Sequence, residues 1–169
     1  MSIFKSVSIL TGLAIFLLLG CNKGEERIAP VDPQEDFAAR IAGVKWVAKN
    51  YEAMMDSGKI TLSGMSDDGR VLAMEISGDT VGTYPVNENS SSLAFYGEPG
   101  KDSIYTFYTS EVPEVGDFVG AISLTKVNRQ NQTISGNFKL MLVKIENDTV
   151  RNYQVIDNGV FNSIGYEVK

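Results

Sequence analysis

The 169 residues contain no histidine and a single cysteine, Cys21. These two shortages remove whole classes of chemistry. A Ser-His-Asp triad, a Cys-His pair and a zinc site built on imidazole or thiolate all need residues the chain does not have. One cysteine cannot form a disulfide within the chain, so the fold must hold by its core. Glycine-rich phosphate loops of the P-loop or dinucleotide type are missing too. Basic residues are the minority: 15 Lys and Arg stand against 21 Asp and Glu, a net charge of −6. Nucleic acid is therefore not an expected partner, because phosphate backbones are bound by basic patches. No motif implies a cofactor or a metal, and no catalytic residue is proposed. Carboxylate-only hydrolysis is a distant third reading, since it needs two acids facing each other across a bond. The acids here sit mostly in expected turns: Asp67, Asp68, Asp79, Asp102, Asp117, Asp148 and Asp157. Glu75 is the exception, and it reads as part of a solvated strand face. The expectation is a protein that is not an enzyme.

Only one long apolar run occurs, Val7 to Leu19, and it has 13 residues. As a helix rising about 1.5 Å per residue it falls well short of a bilayer core of about 30 Å. With Lys5 before it, the run fits the apolar region of a secretory signal. It ends in Leu18-Leu19-Gly20-Cys21, which resembles the lipobox of bacterial prolipoproteins. Residues 1–20 are thus expected to be a cleavable signal peptide. Cys21 is expected to carry the lipid that ties the protein to the bilayer. Each buried CH₂ contributes about 0.8 kcal/mol, so two or three acyl chains such as palmitate on one residue hold firmly. Losing Lys5 with the signal leaves 14 basic and 21 acidic residues, a net charge of −7. Residues 21–36 read as a lipidated tether, polar in Asn22 to Arg27 and punctuated by Pro30 and Pro33. Lys23 and Glu25-Glu26 look like the acidic signals that send lipoproteins of Bacteroidetes to the outer face of the outer membrane. The expected location is the outer membrane of the cell envelope, on its periplasmic or cell-surface face.

Residues 37–169 read as one β domain. Leu72, Met74 and Ile76 alternate with Val71, Ala73 and Glu75. Phe118, Gly120, Ile122 and Leu124 alternate with Val119, Ala121, Ser123 and Thr125. Ile134, Gly136, Phe138, Leu140 and Leu142 alternate with polar or smaller neighbours. Side chains on a strand alternate faces, so each set predicts a half-buried strand. Turn residues separate them: Asp67-Asp68-Gly69, Ser77-Gly78-Asp79, Glu98 to Asp102, Asn128 to Gln132, Glu146-Asn147-Asp148 and Asp157-Asn158-Gly159. Asp67-Asp68-Gly69 is the strongest hairpin signal. It is not a calcium loop, because position twelve counted from Asp67 is Gly78 rather than Glu. About nine strands are expected, near 39–49, 59–65, 70–77, 81–86, 92–97, 103–109, 117–127, 132–145 and 150–167. The spacing predicts an all-β antiparallel meander, preferably a lipocalin-like barrel that hides its edges, with a two-sheet sandwich as the alternative. A short helical turn over 33–40 is also expected, with Asp32 as its cap. Trp46, the lone tryptophan, reads as core.

The lipobox, Gly43 to Trp46, Gly82-Thr83-Tyr84, Gly120 to Leu124, Ile134-Ser135-Gly136-Asn137-Phe138 and Asn158-Gly159-Val160-Phe161 together resemble a family of small Bacteroidetes lipoproteins of unknown function. The likeness spans most of the domain. It implies a Gram-negative envelope and brings no activity with it. Two groups of residues stand out as candidate sites. Tyr105, Phe107 and Tyr108 form an aromatic strand whose rings suit a sugar or protein surface. Thr80, Ser103 and Thr149 each follow an aspartate and precede an apolar residue, as O-glycosylation sites of exported Bacteroidetes proteins do. The expected role is a non-enzymatic binding module for a glycan, a small apolar ligand or an envelope protein. The alternative is a structural or accessory subunit of an envelope complex.

Overall fold

The computed structural model describes residues 34–87, 90–100, 105–110, 120–146 and 149–169. The expected signal, Cys21, the tether through residue 33, Phe118 and Ser103 lie outside the described residues. Every regular element among the described residues is a strand: β1 Phe37–Ile41, β2 Val44–Val47, β3 Asn50–Asp56, β4 Lys59–Met65, β5 Val71–Ile76, β6 Gly82–Pro85, β7 Leu93–Pro99, β8 Tyr105–Thr109, β9 Gly120–Asn128, β10 Thr133–Glu146, β11 Thr149–Gly165 and β12 Glu167–Val168. The all-β expectation holds, with twelve strands rather than about nine.

All twelve belong to one sheet, in the order β12-β3-β4-β5-β7-β8-β10-β11-β1-β2. β9 lies along the first half of β10, and β6 lies along β9. Neighbouring strands run antiparallel except β12 beside β3, which makes the sheet mixed. The path does not close on itself by a ladder, yet it curls as a barrel does. Stepping from Tyr51 across directly opposed residues leads to Gly64, Leu72, Tyr96 and Tyr108. The Thr109–Val143 pairing carries that row to Lys144 and Asn152. At the far side, the Tyr51 hydroxyl donates to Asp36 Oδ2 at 2.9 Å, and the Asn162 N–H donates to the Asp36 carbonyl at 2.7 Å. The row therefore returns to β11 at residue 162 after leaving it at 152. Stagger of this kind is what curling a sheet toward a barrel requires.

The inward faces are the predicted ones. Leu72, Met74, Ile76, Ile122, Leu124, Ile134, Phe138, Leu140 and Leu142 all join one buried cluster. Trp46 is buried as expected, and its Nε1–H donates to the Arg70 carbonyl at 3.2 Å. Phe37, Phe161, Tyr96, Ile60 and Leu62 fill the remaining interior.

Four local expectations are corrected. Residues 37–40 are strand, not helix: all five residues of β1 are buried, and β1 pairs with both β11 and β2. Two-sided burial overrides the capping signal. The expected strand 39–49 is a hairpin, broken at Ala42-Gly43, where both φ angles are positive (50° and 79°). β3 was not foreseen; it joins β4 through Ser57-Gly58, again with positive φ at both residues. Asp157-Asn158-Gly159 is not a turn. It is a bulge inside β11, where Asp157 and Asn158 together oppose Lys139 and Asn158 takes φ 49°.

The two glycine–phenylalanine motifs explain each other. Gly136 lies directly opposite Phe161, and Phe138 directly opposite Gly159. Each ring covers the glycine across from it, and the two rings stack at 6.4 Å and 25°. A pair of motifs 23 residues apart is thus one reciprocal packing unit.

Candidate functional site

The hairpin of β7 and β8 carries the aromatic residues singled out from the sequence. Their alternation decides what each can do. Tyr105 and Phe107 face outward, 37% and 64% exposed, whereas Tyr108 is 3% exposed and faces the core. The three residues therefore do not share one surface. Tyr105 and Phe107 stack at 5.8 Å and 20°. Both rings drape over Gly97, where an added Cβ would stand 2.9 Å from Phe107 Cε1 and 3.4 Å from Tyr105 Cδ1. The missing side chain is what lets the rings lie down on the sheet. The Tyr105 hydroxyl donates to the Gly69 carbonyl at 3.1 Å, which ties the hairpin to the β4–β5 turn.

The surface extends beyond the predicted strand. Phe95 opposes Thr109, Thr109 opposes Val143, and Val143 opposes Tyr153. Residues directly opposite share a face. Phe95 and Tyr153 are therefore on the outer wall with Phe107, and both are exposed. In the sequence Tyr153 stands alone among polar residues, and Phe95 sits in the apolar run Leu93 to Tyr96, which does not set it apart as a surface ring. Only register brings them beside the others.

Behind this wall the same hairpin is locked from inside. Tyr96 opposes Tyr108, and their hydroxyls both donate to Glu98, at 3.4 Å to Oε2 and 3.0 Å to Oε1. Burial, and then the Glu98 charge, push the Tyr96 phenol up to about 12. Burial raises the Tyr108 phenol as well. At the adjoining turn, Asp68 is held below the usual carboxylate range. The Ser66 hydroxyl contributes most, followed by the Arg70 backbone N–H and guanidinium, which outweigh the opposing effect of burial. The inward carboxylate is thus occupied by phenols, and the outward rings rest on a braced frame.

This network predicts an alkaline weakness. The folded Tyr96 pKa lies above the ordinary 10, so the neutral phenol is the stabilised form. Its contribution is fully present below pH 10 and is lost as pH rises toward about 12. The urea midpoint should fall across that window, and Tyr96→Phe should fall less steeply. Identical slopes for the two proteins would refute the assignment.

The remaining candidates are scattered. Thr80 is exposed on the bend after β5, on the wall of an open groove of about 570 Å³ that Asp79 and Arg129 also line. Its hydroxyl lies 3.2 Å from the Tyr84 hydroxyl. Thr149 opens β11, opposite Glu146, and its side chain is outside the described part. Among the described residues no three His, Cys, Asp or Glu side chains gather as a metal set.

A domain model of unknown function, DUF6252, matches residues 34–165, most of the chain. The chain belongs to the DUF6252 family. No curated protein and no solved structure matches it. The DUF6252 match begins at Gln34, three residues before β1, and ends at Gly165, the last residue of β11. It takes in every strand but β12. The aromatic wall and its Glu98 brace both fall inside the family domain.

Proposed function

We propose that this DUF6252 protein is a lipid-anchored, non-enzymatic binding module of the bacterial outer membrane, and that the outer wall of the β7–β8 hairpin is its binding surface. The observation that carries this reading is a division of labour across the sheet. Large side chains fill the inward face, while Phe95, Tyr105, Phe107 and Tyr153 stand exposed on the outward one. A filled interior favours recognition on the wall over a ligand inside it, and clustered aromatic rings on a rigid support are what such surfaces use. Glycans and partner proteins are the two ligand classes suited to the rings. The accessory-subunit reading shares the same surface, with an envelope protein as its occupant.

Replacing Phe107 with a photoreactive phenylalanine in the source cells tests the protein arm, and a glycan array with the purified domain tests the other. One stoichiometric crosslinked protein, or glycan binding abolished by Phe107→Ala, is expected. The substitution should leave stability within about 0.5 kcal/mol, as exposed sites do. Neither crosslink nor glycan binding would overturn the reading.

The anchor is part of the same proposal. The sequence supports it through the apolar run ending at Cys21. The mature chain from its own host should have the mass of residues 21–169 plus a thioether-linked diacylglyceryl group, with or without a third acyl chain on the amino group of Cys21. Cys21→Ser should lose that mass and leave the membrane fraction. Any sugar mass beyond peptide and lipid would assign glycosylation, with Thr80 the accessible acceptor among the described residues.

A further inference from the structure

The aromatic wall continues past its rings, because register sets two rows of residues across the outer face of the sheet. In the first, Phe107 opposes Gly97, Gly97 opposes Val71, Val71 opposes Met65, and Met65 opposes Asn50. In the second, Phe95 opposes Ala73, Ala73 opposes Ser63, and Ser63 opposes Glu52. Residues directly opposite share a face, so Asn50 and Glu52 stand on the same wall as Phe107 and Phe95. From Gly97, which the Phe107 and Tyr105 rings cover, to Asn50 is three strand spacings, about 14 Å. The chemistry changes along that path. At one end the rings lie over Gly97 with planes 20° apart, so they offer faces rather than edges. At the other end, Asn50, Glu52, Ser63 and Met65 line a groove of about 240 Å³. The Ser63 hydroxyl donates to Glu52 Oε1 at 3.2 Å and steadies the carboxylate. Glu52 Oε2 and the Asn50 amide group have no partner among the described residues.

We infer that this path holds a neutral, unbranched oligosaccharide laid across the strands, with one sugar stacked on Phe107 and Tyr105 and another seated in the groove at Asn50 and Glu52. The inference rests on the wall being the binding surface and names its ligand. A sugar ring has an apolar C–H face and a rim of hydroxyls. The face suits a flat aromatic ring, which is large, rigid and apolar. The rim suits the groove, where neighbouring hydroxyls donate to Glu52 Oε2 and the Asn50 amide both donates and accepts. A protein partner is usually held by an anchor that fills a pocket on the other side, and rings lying down on the sheet offer no such anchor. Acidic glycans are rejected, because Glu52 has no cation beside it to offset a second carboxylate or sulfate. The rings thus supply most of the affinity, and Asn50 and Glu52 decide which sugars are kept.

Titration of the full mature chain in detergent micelles, followed by amide and side-chain NMR, tests this. The probes are cellohexaose, mannohexaose, maltohexaose and laminarihexaose, with hexagalacturonate as the acidic counterpart. At millimolar concentration at least one neutral hexaose should shift the Gly97 amide and the Asn50 side-chain amide together. Its disaccharide should shift Gly97 and bind more weakly, and hexagalacturonate should bind about tenfold more weakly than the hexaose or not at all. Glu52→Gln should weaken the neutral hexaose by about tenfold, the loss of one charge-assisted hydrogen bond, and should narrow the gap to hexagalacturonate. Asn50→Ala should bring the hexaose down toward the affinity of its disaccharide, whereas Phe107→Ala should abolish both. A neutral hexaose that shifts Gly97 but not Asn50 would overturn the inference. So would hexagalacturonate binding as tightly as the neutral chains, or no shift from any neutral hexaose. In that last case a protein crosslinked through Phe107 would leave the wall standing as a binding surface for protein, and the lack of a crosslink would remove the wall as well.

Discussion

Gly136→Ala is expected to destabilise the domain by about 3 kcal/mol or more, near the upper end of what overpacking produces. A methyl group at this position would overlap the carbonyl oxygen of Ser123 and Cζ of Phe161. The first obstacle is backbone of the neighbouring strand β9 and cannot swing aside. The second is a ring that is fully buried and stacked on Phe138. Relief would have to come from separating β9 and β10, which breaks the ladder that runs from Asn128–Thr133 to Gly120–Leu140. Gly165→Ala is the internal control, since an added Cβ there has no atom within 4 Å. It should change stability by no more than about 0.5 kcal/mol. Urea unfolding followed by tryptophan fluorescence reads both. Equal losses in the two variants would show that the glycines act through backbone freedom rather than through the rings they seat.

That prediction also shows what could be read from sequence and what could not. The long alternations in β5 and β10 were legible because one face of each is buried and the other is not. Ile134, Gly136, Phe138, Leu140 and Leu142 all face the core. The role of Gly136 was not legible. It depends on Phe161 standing across the ladder, and register is a property of two strands. β3 escaped notice because its burial starts only at Ala53, and Asn50, Tyr51 and Glu52 break the alternation. The turns at Ala42-Gly43 and Ser57-Gly58 lack the Asn-Gly or Asp-Gly spelling, although their φ angles are those such turns need. Asn158-Gly159 has that spelling, and there β10 runs past as an unbroken partner, so the same local preference for positive φ becomes a bulge. At the candidate site, strand alternation puts Tyr105 and Phe107 on one face and Tyr108 on the other, as their exposures show. Phe95 and Tyr153 join them only through pairings across four strands.

Phe37→Ala should cost about 3–5 kcal/mol, the range for emptying a phenylalanine site in a packed core. Phe37 is fully buried and meets Trp46 edge-on at 5.1 Å and Phe138 at 6.1 Å. Its ring also closes over Gly64, where an added Cβ would stand 2.8 Å from both Cδ1 and Cε1. That contact joins β1, the strand whose burial overrode its helical signal, to β4 on the far side of the sheet path. It is therefore a test of the curl as well as of packing. Gly64→Ala alone should cost about 1–3 kcal/mol, because the ring must yield. With Phe37 already shortened to alanine that obstacle is gone, and the same methyl partly refills the space. The double variant should then lose less than the two single losses together, with a coupling of about 0.5–3 kcal/mol. Rescue stays incomplete because Ala48 Cβ, at 2.9 Å, still crowds the added methyl. Additivity within about 0.5 kcal/mol would mean that Phe37 and Gly64 do not touch in solution. The barrel-like curl, which brings β1 against β4, would then be wrong at that contact.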